Sequence, residues 1–140
     1  MINILETIHF SYLAPMNSHT PKISIVMPVK DTAPYLEACI SSILEQTFTD
    51  WELIAVNDNS LDDSLAILEG FATKDKRVKV FTNASPGLLE ALRFGYAQTT
   101  GGLIHRMDSD DKMPLSKLQL MADAWQGKRS LVTGGTEYFK

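Results

Sequence analysis

Three acidic residues fall within four positions late in the chain, at Asp108, Asp110 and Asp111. Carboxylates this close repel one another in a partly desolvated cleft, so a turn with a purely structural role does not favour them. A divalent cation offsets the repulsion, and carboxylate oxygens suit hard ions such as Mg²⁺ and Mn²⁺. We therefore predict a metal site at this acidic loop (residues 108–111), with a solvated acidic turn as the alternative.

Two further polar clusters follow short apolar runs, at residues 28–31 and 57–60. Lys30 in the first cluster is a candidate base or phosphate contact, although an exposed turn lysine is the default explanation. Asp and Asn also form turns and helix caps, which is the structural explanation for the second cluster. Arg106 precedes the acidic loop and could pair either with its carboxylates or with a phosphate, and we slightly favour the carboxylates.

The elements that must position these clusters alternate between strands and helices. Strands are predicted at residues 23–27, 51–56, 77–82 and 103–107, with a fifth beginning within 130–133. Helices are predicted after each of the first four strands: one with Pro34 near its start, one behind a Ser60–Asp63 capping box with Leu61 on its apolar side, one from residues 85–86, and one opened by Pro114 with Leu115 on its apolar side.

This alternation predicts an α/β fold with a mostly parallel sheet and helices on both faces, because each crossover helix must bury its apolar side against the sheet. Ligands of such sheets bind beyond the carboxyl ends of the strands. The three polar clusters follow the first, second and fourth strands, so we expect them to line one crevice.

Composition limits the function classes. The 140 residues suit one domain, and the 44% hydrophobic and 21% charged fractions are those of a globular protein. A net charge of −4 argues against a nucleic-acid binder, and a single cysteine, Cys39, argues against a disulfide framework. No apolar run has the length of a membrane helix. Residues 1–21 lack a clear period, so we expect an irregular leader there and the domain at 22–140.

Known phosphate and calcium motifs are missing from the sequence. Neither G-x-G-x-x-G nor G-x-x-x-x-G-K-[ST] occurs, and neither acidic segment has the glycine and glutamate spacing of an EF-hand. The charge of a bound diphosphate must therefore be met by a metal ion, by Lys or Arg, or by both.

The order of the motifs resembles that of family 2 glycosyltransferases. The segments that carry the resemblance are IVMPV at 25–29, SILEQTF at 42–48, VNDNS at 56–60, RMDSDD at 106–111 and GGTEYF at 134–139. The resemblance implies a GT-A (Rossmann-like) fold and a nucleotide-diphosphate-sugar donor, with a UDP-sugar favoured. It also implies Mn²⁺ or Mg²⁺ as cofactor, and inverting transfer to a hydroxyl of a saccharide or lipid-linked acceptor, as in polysaccharide biosynthesis.

The resemblance also assigns residues. It implies that Asp58 pairs with the base edge, and that the metal is bound by Asp110 and Asp111. The whole set of nucleotide contacts that it implies is Pro28, Val29, Lys30, Asp58, Asp108 and Asp110.

Several positions depart from the family pattern. Lys30 stands where an aromatic residue is common, Asn57 replaces a frequent aspartate, and Leu92 with Arg93 replaces an often polar pair. The catalytic base of the family lies downstream of the matched region, so we expect the base to be outside this chain and the chain to be a truncated, donor-binding half. We expect it to be cytoplasmic, with peripheral attachment at the inner face of the membrane as an option.

Two other function classes are weighed against this one. A non-catalytic nucleotide-binding or regulatory module would keep the pocket without the chemistry. A phospho-accepting receiver domain also carries acids at parallel strand ends, but it is disfavoured because no isolated aspartate follows the third strand.

Overall fold

The computed structural model describes residues 23–125, in which four strands and four helices alternate as predicted. The strands are β1 (Ile23–Val29), β2 (Trp51–Asn57), β3 (Val78–Thr82) and β4 (Leu103–Arg106). The helices are α1 (Ala33–Leu44), α2 (Ser64–Lys74), α3 (Leu88–Ala97) and α4 (Lys117–Ala124). The predictions of a leader at 1–21, a strand at 130–133 and a matching motif at 134–139 lie outside the described residues.

The four strands form one parallel sheet in the order β3-β2-β1-β4. β1 and β2 pair over seven residues, from Ile23 opposite Trp51 to Val29 opposite Asn57. β1 and β4 pair over only four residues and stop at Val26 opposite Arg106. The carboxyl ends of all strands therefore lie at one edge, where β1 continues beyond β4 and leaves a gap between them.

β1 includes Pro28 and runs to Val29, although Pro28 was expected to end it. The carbonyl of Val26 accepts a hydrogen bond from the Met107 N–H on the β4 side, and the carbonyl of Val29 accepts one from the Asp58 N–H on the β2 side. Because successive residues face opposite neighbours, the Pro28 nitrogen faces the β4 side. β4 no longer pairs there, so the proline interrupts no ladder bond.

Helices cover both faces of the sheet, which confirms the predicted layering. The larger core lies between one face and α1, α2 and α4, and it includes the fully buried side chains of Leu36, Ile40, Leu68 and Leu118. The smaller core lies under α3 on the other face and consists of Ile54, Val56, Ala91 and the partly buried Phe81. Within residues 23–125, none of the helices combines the length and apolarity needed to cross a membrane.

The start of α2 differs from the prediction. The helix begins at Ser64, and the side chain of its N-cap residue, Asp63, makes no capping hydrogen bond. The hydroxyl of Ser60 instead accepts a hydrogen bond from the Asp31 N–H at 3.1 Å, so the predicted capping box is absent. Leu61 is 94% exposed, and its predicted place on the apolar side of the helix is wrong. The Ser60 hydroxyl therefore bonds the loop after β1 and does not cap the helix.

The start of α3 also comes later than predicted, at Leu88 rather than at residues 85–86. Gly87 precedes the helix with φ of 131°, a backbone conformation that residues other than glycine rarely adopt. Its N–H donates to the carboxylate of Asp58, 2.9 Å from Oδ1. This bond fixes Gly87 just before the first helical residue, so the helix begins only at Leu88.

A methyl group added at Gly95 tests the close approach of α3 to the sheet. The new Cβ of Gly95→Ala would lie 2.7 Å from Cγ1 of Val26 and 3.2 Å from Cγ2 of Val56. We expect the free energy of unfolding in urea to fall by about 1–3 kcal/mol, because the helix must move away from the sheet.

The matched control is Gly70→Ala, in the interior of α2, where the added Cβ meets nothing within 4 Å. Alanine restricts the unfolded chain more than glycine does, so this variant is expected to gain about 0.5–1 kcal/mol. Equal effects of the two substitutions would contradict the tight packing of α3.

Candidate functional site

A cleft of about 440 Å³ opens at the carboxyl edge of the sheet, in the gap between the ends of β1 and β4. It is lined by residues that follow β1, β2 and β4, as the crevice prediction requires. All six predicted nucleotide contacts line it: Pro28, Val29, Lys30, Asp58, Asp108 and Asp110.

Asp111 lies apart from these residues. It lines a small pocket of about 60 Å³ beside the cleft, together with His105, Lys112 and Lys117. The described residues contain no group of three or more His, Cys, Asp or Glu side chains arranged to surround a metal ion. The structure therefore brings Asp108 and Asp110 to one cleft and leaves Asp111, the other predicted metal ligand, in the adjoining pocket.

Lys30 links the ends of β1 and β2. Its Nζ donates to the backbone carbonyls of Asp58 and Asn59 at 2.9 and 2.8 Å. Asn59 has φ of 54°, in the left-handed region that asparagine tolerates better than most residues. The lysine thus fixes a turn that brings the Asp58 side chain toward the cleft.

The loop after β1 is bound to the loop after β2 by further hydrogen bonds. The Asp31 carboxylate accepts from the Leu61 N–H at 2.6 Å, and the Asp62 carboxylate accepts from the Ala33 N–H at 2.9 Å. Asp31 itself has φ of 49°. Two non-glycine residues in left-handed conformations within one pair of loops indicate a backbone shaped for the site.

Asp58 is the most constrained carboxylate of the cleft and is only 8% exposed. Its Oδ1 accepts from Nδ2 of Asn83 and from the Gly87 N–H, both at 2.9 Å, and its Oδ2 lies 3.0 Å from the same N–H. An ionised carboxylate is only an acceptor, so its remaining lone pairs can take an N–H donor from a ligand.

The acidic loop is attached to the first loop through a pair of hydroxyls. Ser109 is buried, and its Oγ lies 2.8 Å from Oγ1 of Thr32. The neighbouring Asp108 and Asp110 are exposed and line the cleft. Because the Ser109 side chain points into the protein, the carboxylates of Asp108 and Asp110 on either side of it face the solvent. Nη2 of Arg106 contacts Oδ1 of Asp108 at 3.0 Å.

The side chains of the acidic loop fit a hard divalent cation. Asp108 and Asp110 offer oxygen ligands and leave most of a coordination shell to water or phosphate, as Mg²⁺ sites in proteins commonly do. The pKa of the buried Cys39 thiol is raised to about 12, first by burial and then by the negative charges of the acidic loop, whose field therefore extends into the core. A cation bound at the loop would reduce this field.

Helix α1 anchors the segment that follows the acidic loop. Oγ of Ser42 accepts from the Met113 N–H at 2.9 Å, and Nε2 of the buried Gln46 donates to the Pro114 carbonyl at 2.7 Å. Oε1 of Gln46 accepts from the Leu118 N–H at 3.1 Å, in the first turn of α4. These bonds hold residues 114–116 as a turn, so α4 begins later than predicted.

Leu115 is 58% exposed in this turn, so its predicted place on the apolar side of α4 is wrong. Held outside the helix by the bonds from α1, it does not join the face of α4 that carries Leu118 and Met121 into the core.

Four residues that shape the site were not among the predicted site residues. Asn83 follows β3, the strand whose polar end was not counted, and Gly87 carries the only positive φ among the described glycines. Ser42, in the last turn of α1, and Gln46, two residues after its end, both belong to the motif at 42–48.

Comparison with known proteins identifies the family. The family model described as glycosyl transferase family 2 matches residues 24–140. This chain belongs to glycosyl transferase family 2. An uncharacterized glycosyltransferase of Bacillus subtilis, EpsJ, is 36% identical over 116 residues, which cover 82% of this chain and 34% of that protein. Glycosyltransferase GlyG of Streptococcus pneumoniae is 33% identical over 117 residues, 83% of this chain and 39% of that protein.

Solved structures share the fold. TarS 1–349 of S. aureus in complex with UDP aligns with a TM-score of 0.68 at 25% identity, over 73% of this chain and 31% of that chain. A mannosyltransferase of Pyrobaculum calidifontis in complex with GDP-Man and Mn²⁺ aligns with a TM-score of 0.67 at 21% identity, over 83% and 35%. The family 2 chain spans about a third of the length of these relatives.

These results confirm the predicted α/β fold of the GT-A type and the predicted family. Membership of the glycosyltransferase family also excludes the receiver-domain alternative, because the family model matches residues 24–140 and so includes all three polar clusters.

Removal of the Gln46 amide tests how the acidic loop is anchored. Gln46→Ala leaves the Leu118 N–H and the Pro114 carbonyl without their partner. We expect a loss of about 1–3 kcal/mol in the free energy of unfolding, because the amide is buried. Gln119→Ala is the control, since its amide bonds Asp123 at an exposed position of α4. A loss of the same size in both variants would contradict the anchoring role.

The partly buried His105 predicts a pH dependence of stability. The pKa of His105 is lowered from 6.5 to about 4 by burial and then by the charge of Lys117. Between these values the unfolded chain binds more protons than the folded chain, so stability falls as the pH falls from about 6.5 toward 4. We expect a loss of about 2 kcal/mol between pH 7 and pH 5 by urea unfolding. In His105→Gln this loss should shrink by more than half, and an unchanged loss would contradict the assignment.

Proposed function

We propose that the cleft of this family 2 chain binds a nucleotide-diphosphate sugar together with a divalent cation, as the donor-binding half of an inverting glycosyltransferase. The observation that carries this proposal is the convergence of Lys30, Asp58, Asp108 and Asp110 from three strand ends on one cleft of about 440 Å³. The cleft volume suits a ligand of nucleotide size.

The base is proposed to bind at the β2 side of the cleft. Asp58 offers hydrogen-bond acceptors, so it fits the N–H of a uracil ring, while Pro28, Val29 and Lys30 line the adjoining wall. Uridine is supported by the likeness to TarS, which has been solved in complex with UDP-GlcNAc and aligns at 26% identity with a TM-score of 0.65. A UDP-sugar is therefore the donor that we propose.

Divalent metal is proposed to bind at the acidic loop, as Mn²⁺ or Mg²⁺. Asp110 would hold it, with Asp108 in the same cleft as the partner that the geometry favours over Asp111 in the adjoining pocket. When bound, such an ion supplies positive charge to the leaving nucleoside diphosphate. The other predicted role of the loop is a contact to the ribose, for which the remaining carboxylate oxygens serve as acceptors.

The acceptor is proposed to be a hydroxyl of a saccharide or of a lipid-linked saccharide. One relative is named as the chondroitin synthase of Escherichia coli, at 31% identity over 79% of this chain and 16% of that protein. We assign no catalytic base among residues 23–125. The non-catalytic nucleotide-binding module is the alternative, and transfer or hydrolysis of a UDP-sugar by the protein would exclude it.

Calorimetric titration with UDP tests the proposal. The wild-type protein should bind UDP at least about tenfold more tightly in the presence of Mn²⁺ than in its absence, because the ion couples the diphosphate to the loop. Asp110→Asn should lose this gain, since an amide holds a divalent cation more weakly than a carboxylate does.

Asp123→Asn is the matched control, an exposed aspartate of α4 that does not line the cleft, and it should keep the gain in full. Asp111→Asn distinguishes the pair Asp108 and Asp110 from the pair Asp110 and Asp111, because the variant should keep the gain if the first pair holds the ion and lose it if the second pair does. Weak binding of UDP that is the same with and without Mn²⁺, and the same in Asp110→Asn, would overturn the proposed function.

A further inference from the structure

Two positively charged side chains line the cleft in the part of the chain that the structure describes, Lys30 and Arg106. The ammonium of Lys30 is engaged by the carbonyls of Asp58 and Asn59, at the β2 side. Arg106 ends β4 and stands beside the acidic loop, where its guanidinium contacts Asp108. Arg106 is therefore the cleft-lining cation that contacts the acidic loop, where a metal ion and a diphosphate would bind.

The contact between Arg106 and Asp108 is of a kind that exchanges easily. It is a single 3.0 Å contact between side chains that are 47% and 52% exposed. Exposed pairs of this type contribute little to stability, because water screens them and both side chains lose freedom. The carboxylate of Asp58, in contrast, is buried and has three contacts from protein groups. Of the two cleft carboxylates with a named protein partner, Asp58 and Asp108, it is Asp108 whose partner is easily replaced.

We propose that Arg106 is a diphosphate-binding residue. When a divalent cation binds to the acidic loop, the guanidinium of Arg106 breaks its contact with Asp108 and binds the diphosphate of the donor instead. This inference rests on the proposed function. A divalent cation and a guanidinium at the same carboxylate repel each other, so the arginine must move. The planar guanidinium fork matches phosphate oxygens, and it remains in the cleft after the exchange.

The charges of the ligands favour this role. The diphosphate of an intact nucleotide sugar has two negative charges, which a divalent cation balances. A nucleoside diphosphate has one further negative charge near neutral pH, and Arg106 would balance it. We therefore expect Arg106 to contribute more to the binding of UDP than to the binding of a UDP-sugar.

Calorimetry with Mn²⁺, UDP and UDP-GlcNAc tests the exchange in Arg106→Met. Without nucleotide, the variant should bind Mn²⁺ about fivefold more tightly than the wild type, because the competing cation is gone. With saturating Mn²⁺, it should bind UDP about tenfold more weakly, and UDP-GlcNAc about threefold more weakly. A loss of folding would instead weaken all three ligands together.

Lys112→Met is the matched control, because it removes the same charge from the residue after the acidic loop and lies outside the cleft. All three affinities should change by less than about twofold in this variant, since exposed charges are screened over such distances. A gain in Mn²⁺ affinity equal to that of Arg106→Met would attribute the effect to net charge and overturn the inference.

The outcomes separate the two proposals. Wild-type protein that binds no UDP with Mn²⁺ present would overturn the proposed function, while tighter Mn²⁺ binding by Arg106→Met would still support the exchange at Asp108. Normal Mn²⁺-dependent binding of UDP in the wild type, with the same UDP and Mn²⁺ affinities in Arg106→Met, would overturn the role of Arg106 and retain the proposed function.

Discussion

Electrostatic repulsion within the acidic loop is the constraint on which the rest of the site depends. Three carboxylates within four residues disfavour a compact loop, and beside the exposed contact of Arg106 with Asp108 the structure holds the loop by hydrogen bonds between uncharged groups. Ser109 is bonded to Thr32 on one side, and α1 binds the segment after the loop through Ser42 and Gln46. Neutral hydrogen bonds thus keep the acidic side chains in place while their oxygens stay available to a ligand.

Much of this arrangement could be predicted from the sequence. The apolar runs and their spacing predicted every described strand, and parallel strands place their carboxyl ends at one edge. That rule alone was enough to bring Lys30, Asp58 and Asp108 together before any distance was known. Such predictions succeed because the period of apolar residues and the direction of strands are set by the whole chain, and local competition does not alter them.

The predictions that failed concern side chains with more than one suitable partner. Ser60 has the spacing of a capping residue, but its hydroxyl accepts a hydrogen bond from the backbone N–H of Asp31, twenty-nine residues earlier along the chain. Gln46 had no predicted site role, but its amide oxygen accepts from the Leu118 N–H at the start of α4. The winning partner is brought near only by the tertiary fold, so local spacing cannot reveal it. The separation of Asp111 from Asp110 arises in the same way, from the path of the loop between β4 and α4.

Pro28 has a consequence for the width of the cleft. In a longer parallel ladder the residue at this position would donate its N–H to the carbonyl of Met107, the next rung after the bond from Met107 to Val26. Proline has no backbone N–H, so β1 cannot donate the next hydrogen bond of the ladder to β4. The proline therefore limits how far β1 and β4 can pair, and the opening between these two strands does not require a bound ligand to hold it open.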